Sequence, residues 1–147
     1  MITHVDTSTL IKLLIDEVGT PEAAAIWDEP DVLVTVRLAH VEARAALAAA
    51  RRQNRLTAAV LRSAVAGLEV LWSQLSVVEV DEDLMRLAGD LALTYSLRGY
   101  DAVHLAAAHL VGALEPAVRQ AVLALAEQAA AEVGAQLTDR SVDVVLV

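Results

Sequence analysis

The 147-residue chain has no cysteine, no phenylalanine and a single lysine, and its aromatic content is only 3%. Without cysteine, neither a disulfide framework nor a Cys-ligated zinc site is possible. The four histidines, His4, His40, His104 and His109, form no i,i+4 pair and no H-E-x-x-H motif, so a His-rich zinc site is not expected either. The scarcity of aromatics disfavours RNA-recognition modules that stack bases on exposed rings. Positive charge is also short: 11 Lys and Arg stand against 20 Asp and Glu, a net charge of −9. That balance argues against broad, non-specific nucleic-acid binding. It favours a basic protein partner, or a metal ion that locally inverts the sign of the field. No long hydrophobic run occurs, and stretches such as A-A-L-A-A-A fall far short of a membrane span. No basic segment followed by an apolar one opens the chain. The expectation is a soluble, cytoplasmic protein with no membrane partner.

What is present is an apolar fraction of 56%, enough for a sizeable core in one domain over residues 1–147. Residues 2–5 are β-prone and run into Asp-Thr-Ser, three residues able to cap a helix, with Leu10, Leu13 and Leu14 following at helical spacing. Thr20 and Pro21 suit the start of a helix through Trp27, and Pro30-Asp31 breaks it. V-L-V-T reads as a buried strand. Helices are expected from Leu38 to about Asn54 and from Thr57 to about Trp72, then a strand over 76–80. Asp81 or Glu82 opens a helix to Leu97, Gly99 ends it, and Asp101 opens another to about Leu110. Pro116 starts a long Ala-rich helix that stops near Gly134, and V-D-V-V-L-V closes the chain as a strand. Strands alternating with helices predict an α/β fold with a mostly parallel sheet and helices on both faces.

Three acids stand at hinges between apolar segments: Asp6 in H-V-D-T-S-T-L, Glu42 in L-A-H-V-E-A-R, and Asp101 in R-G-Y-D-A-V-H. Packing alone favours neutral residues at such places, and a carboxylate there costs free energy unless something binds it. Carboxylates gathered at one point are how proteins hold Mg²⁺ or Mn²⁺. Each acid also has a purely structural reading. Asp6 at the end of the first strand is an ordinary helix cap, although Thr7 or Ser8 could cap in its place. Glu42 has Leu38, Ala45 and Ala46 as helical neighbours, which puts it on an apolar stripe. Its alternative is an ion pair with Arg37 or Arg44. Asp101 reads equally as a cap placed favourably on the helix dipole. His104, one turn on, is either a core-edge histidine or a group that orients a carboxylate.

The three segments resemble the PIN-domain ribonucleases, especially the toxins of VapBC toxin–antitoxin pairs. V-D-T-S-T-L-I-K-L-L resembles that family's opening motif, V-E-A-R-A-A-L its second and D-A-V-H-L-A-A-A its third, in the same order, over residues 1–113. The resemblance implies a three-layer α/β/α sandwich with the acids at the carboxyl edge of the sheet. It implies Mg²⁺- or Mn²⁺-dependent hydrolysis of RNA phosphodiester bonds. Asp6 and Asp101 would be direct metal ligands, and Glu42 a ligand or the group that orients the attacking water. It also implies a homodimer and a cognate antitoxin that fills the acidic groove. Family members usually carry a fourth acid in a T-x-D that follows a strand like V-L-V. This sequence reads D-V-V-L-V up to Val147, so the fourth acid is expected beyond Val147, with Glu127 and Asp139 as substitutes. Two other readings accompany the toxin. One is a catalytically silent PIN-like interaction module, and the other is a PIN nuclease of DNA flaps or of RNA processing outside a toxin system. Arg51, Arg52 and Arg55, with Arg44 and Arg62 near in sequence, read either as an RNA-backbone track or as a solvated helix end.

Overall fold

Val34, Thr35 and Val36 are all buried, as expected of a strand covered on both faces. They belong to the central strand of a small parallel sheet. The computed structural model describes residues 2–29 and 32–112. The chain forms two compact units, Met1–Val80 and Asp81–Val147.

In the first unit, β1 (Ile2–His4), β2 (Val32–Val36) and β3 (Ser76–Val78) lie in the order β1-β2-β3. β1 pairs with β2 in parallel from Ile2↔Val32 to His4↔Val34, and β2 with β3 from Val34↔Ser76 to Val36↔Val78. Parallel neighbours need crossovers, and helices supply them. α1 (Thr7–Leu14) and α2 (Thr20–Asp28) join β1 to β2, and α3 (Leu38–Arg52) and α4 (Ala58–Trp72) join β2 to β3. The expected strand over 76–80 is paired only through Val78, and the expected strand at 2–5 ends at His4.

Helical periodicity sets the core. Leu10 and Ile11 of α1, Ala39, Ala43 and Leu47 of α3, and Ala64 and Leu68 of α4 bury one face each, with Val5 and Ile15 completing the cluster. The fully buried leucines of this cluster, Leu10, Leu47 and Leu68, each stabilise the fold by about 1.5–3 kcal/mol. Thr57 caps α4 through its hydroxyl on the Val60 amide at 3.1 Å, as its position in the sequence predicts. The start of α2 departs from expectation. Gly19 occupies the capping position at φ 93°, which a residue with a Cβ rarely adopts. Thr20 instead closes the preceding turn, its hydroxyl donating to the Lys12 carbonyl at 2.9 Å and accepting from the Glu17 amide at 3.1 Å.

Polar contacts tie the surface of this unit. Glu69 of α4 accepts from both His40 and Arg44 of α3 at 3.1 Å, and the His40 ring meets Trp72 edge-on at 4.9 Å. Arg37 pairs with Glu79 just past β3. The hydrogen bond holds the Glu79 carboxyl below the usual carboxylate range and raises the Arg37 guanidinium. Both groups are exposed, so the pair adds little to stability.

In the second unit, α5 (Glu82–Tyr95) and α6 (Gly99–Leu110) pack on each other. Asp81 caps α5 through the Leu84 amide at 2.9 Å. Ser96, at φ 53°, ends α5 in the left-handed region. Gly99, expected to end that helix, begins α6. The helix expected over 116–133 and the closing strand lie outside the described residues, as do Pro30 and Asp31.

Candidate active site

Asp6 stands at the carboxyl end of β1, where open α/β sheets place their ligands. It is the cap of α1, and neither Thr7 nor Ser8 displaces it: its Oδ1 accepts from the Thr9 amide at 3.0 Å. The Thr9 hydroxyl donates to the same oxygen at 3.0 Å, and the Ser8 hydroxyl reaches Oδ1 and Oδ2 at 2.9 and 3.0 Å. Capping and a functional role are therefore compatible. The bonds that start the helix also lock the carboxylate's direction.

Glu42 reaches the same corner from the other crossover. The Thr7 hydroxyl donates to its Oε2 at 2.7 Å across 35 residues of sequence. Two acids that arrive on separate βα connections are thus linked through a residue adjacent to one of them. The stripe expected under Glu42 is displaced by one position: α3 buries Ala39, Ala43, Leu47 and Ala50, and Glu42 flanks that row half-buried, with Ala45 exposed. Arg37 and Arg44, considered as its ion-pair partners, donate to Glu79 and Glu69. Asp6 is exposed, and so is Asp101, so the expectation that every acid sits where packing favours an apolar residue fails for both.

Asp101 belongs to the second unit. It lies in the first turn of α6 rather than at its cap, because the helix starts two residues earlier at Gly99. The positive end of the helix dipole favours a carboxylate there. His104, half-buried, follows one turn on. Glu127 and Asp139 lie outside the described residues.

Hard oxygen donors such as these suit hard divalent cations. Among the described residues no three His, Asp or Glu side chains form a ready-made cation cage. A small divalent cation does not require one, since it keeps several waters and takes one or two carboxylates plus substrate phosphate. The donor chemistry of Asp6 and Glu42 fits that demand. An open groove of about 540 Å³ lies elsewhere on the first unit, lined by Leu38, Val41, Trp72 and Val80 with Arg37, His40 and Glu69, and none of Asp6, Glu42 and Asp101 lines it.

Sequence reasoning missed Thr9 as a partner of Asp6, and it missed Thr35, which is fully buried and donates its hydroxyl to the Val5 carbonyl at 2.8 Å. The signal for Thr35 was present: it is the one polar residue in V-L-V-T-V.

The PIN domain model matches residues 4–114, and the chain belongs to the PIN domain family, with its α/β/α sandwich fold. Its relatives include Ribonuclease VapC45 and Ribonuclease VapC49, from two strains of Mycobacterium tuberculosis. Each is 44% identical over 109 residues, which is 74% of this chain and 76% of the relative. The crystal structure of Mycobacterium tuberculosis VapC20, described as a sarcin-ricin loop cleaving toxin, matches in fold. The TM-score is 0.61 over 76% of this chain and 84% of that one, at 24% identity. No helix among the described residues is long and apolar enough to cross a membrane.

Proposed function

We propose that the chain is a metal-dependent endoribonuclease, the toxin of a VapBC-type pair, acting in the cytoplasm and neutralised by a cognate antitoxin. The observation that carries this reading is the Thr7–Glu42 hydrogen bond, which joins Glu42 to the Asp6 corner at the carboxyl end of β1. The relatives named as ribonucleases support the choice of RNA as substrate. On this reading Asp6, Glu42 and Asp101 hold Mg²⁺ or Mn²⁺, and the toxin is a homodimer.

A divalent cation supplies charge neutralisation at the phosphate and lowers the pKa of a water in its shell. The chain's own residues do the positioning. Ser8 and Thr9 fix the Asp6 carboxylate so that its orientation requires no reorganisation when substrate arrives. Thr7 holds one oxygen of Glu42, which lets that carboxylate serve as a ligand or orient the attacking water. The same reading assigns Asp101, in the first turn of α6, as a further ligand. Repulsion between these acids and an RNA backbone is what the cation offsets.

The test is RNA cleavage by the purified chain with Mg²⁺ or Mn²⁺. Cleavage is expected, and Asp6→Ala is expected to lower it by at least about a hundred-fold, because the loss of a ligand forfeits several kcal/mol of charge stabilisation. Cleavage that survives Asp6→Ala contradicts the assignment.

A further inference from the structure

Among the described residues Thr35 alone is polar and buried, with none of its surface exposed. Valine has nearly the same shape and would serve the packing of β2 between Val34 and Val36 equally well. A hydroxyl in that interior is costly unless bonded. It is bonded: Thr35 Oγ1 donates to the Val5 carbonyl at 2.8 Å, 30 residues away in sequence.

The position of that carbonyl gives the bond its meaning. The register of β1 and β2 ends at His4↔Val34, so Val5 and Asp6 lie past the last paired residue, where the chain leaves the sheet for α1. The Val5 amide donates to the Val34 carbonyl at 2.8 Å, and the Val5 side chain is 1% exposed. The Val5 carbonyl belongs to the same peptide unit as the Asp6 amide. The backbone that delivers Asp6 is therefore held from β2 on two sides, at Val34 and at Thr35. β2 itself runs on into α3, which carries Glu42. Ser8 and Thr9 fix the Asp6 side chain relative to its own helix. Thr35 fixes the entry of that helix relative to the strand that leads to Glu42.

We infer that Thr35 is a positioning residue for phosphodiester hydrolysis: its buried hydroxyl sets the Val5–Asp6 peptide plane and so the direction in which Asp6 meets a divalent cation. This rests on the nuclease reading above. Outer partners that orient ligands typically change metal affinity or activity by about 10- to 100-fold when removed.

The experiment compares wild type, Thr35→Val and Thr35→Ser for Mn²⁺ binding by calorimetry and for kcat and KM on RNA, well below their melting temperatures. Thr35→Val is expected to weaken Mn²⁺ binding and lower kcat, each about ten-fold or more, with little change in KM. Thr35→Ser, which keeps the hydroxyl, is expected to stay near wild type in both. If Thr35→Val does not fold, Thr35→Ser against Thr35→Ala, which differ by the hydroxyl alone, makes the same comparison. A Thr35→Val protein that melts lower but binds Mn²⁺ and turns over like wild type has lost only a structural bond, and that result overturns the inference while the nuclease reading stands. A wild-type protein that neither binds Mn²⁺ nor cleaves RNA overturns both.

Discussion

At Asp6, each of the next three residues bears on the acid corner: Ser8 and Thr9 bond the Asp6 carboxylate, and Thr7 bonds Glu42. The three hydroxyls of T-S-T are therefore not interchangeable. Thr7→Val keeps the shape of the side chain and removes only the bond to Glu42, so it is expected to reduce RNA cleavage by about ten-fold with the fold intact. Thr7→Ser is expected to restore most of it. Equal activity in the valine and serine variants would show that Glu42 does not depend on Thr7. The elements that carry the acids were legible in the sequence: the D-T-S run opens α1, V-E-A-R falls inside α3 and D-A-V-H-L inside α6, although only Asp6 stands between two elements. Which of three adjacent cap-competent residues caps α1 was not legible, since that depends on the backbone direction in which β1 delivers Val5 and Asp6. The Thr7–Glu42 bond was not legible either, because no periodicity predicts a contact over 35 residues.

The elements follow from periodicity and capping, and their errors fall at termini. Gly99 was expected to stop α5 because glycine adopts left-handed backbone without strain. Ser96 takes that conformation instead and leaves Gly99 to open α6. Leu47 and Leu68 lie in the core, and truncating either to alanine is expected to cost about 2–5 kcal/mol in chemical denaturation, since both are fully buried. A cost below 1 kcal/mol would show that the site collapses around the cavity. Gly89 offers the opposite test. It lies exposed in the middle of α5, and a Cβ there would meet nothing within 4 Å. Gly89→Ala is expected to stabilise by about 0.5–1 kcal/mol through helix propensity, and a destabilised variant would contradict the assignment of an open helical position. Arg37 and Glu79 link the start of α3 to the end of β3. Because the hydrogen bond lowers the Glu79 pKa, its contribution is present above the ordinary carboxylate range and is lost as pH falls through the lowered value. The raised Arg37 pKa adds a contribution that is lost only at strongly alkaline pH. Because both groups are exposed, Glu79→Gln is expected to flatten the acid limb of thermal stability against pH only slightly, and a large change in that limb would show that the pair matters more than its exposure allows.

For the whole molecule, with its net charge of −9, the proposed cation would link stability to activity. A cation that binds only the folded chain stabilises it by about 2.7 kcal/mol at one hundred times its Kd, roughly 5–10 °C in melting temperature for a chain of this size. The most direct measurement of the central claim, that three acids far apart in sequence serve one cation, is a Mn²⁺ titration of the intact chain alongside folded Asp6→Asn, Glu42→Gln and Asp101→Asn variants. Saturable binding by the wild type is expected, and each of the three substitutions is expected to weaken it by about ten-fold or more. No binding by the wild type, or binding that Asp101→Asn leaves unchanged, would contradict it.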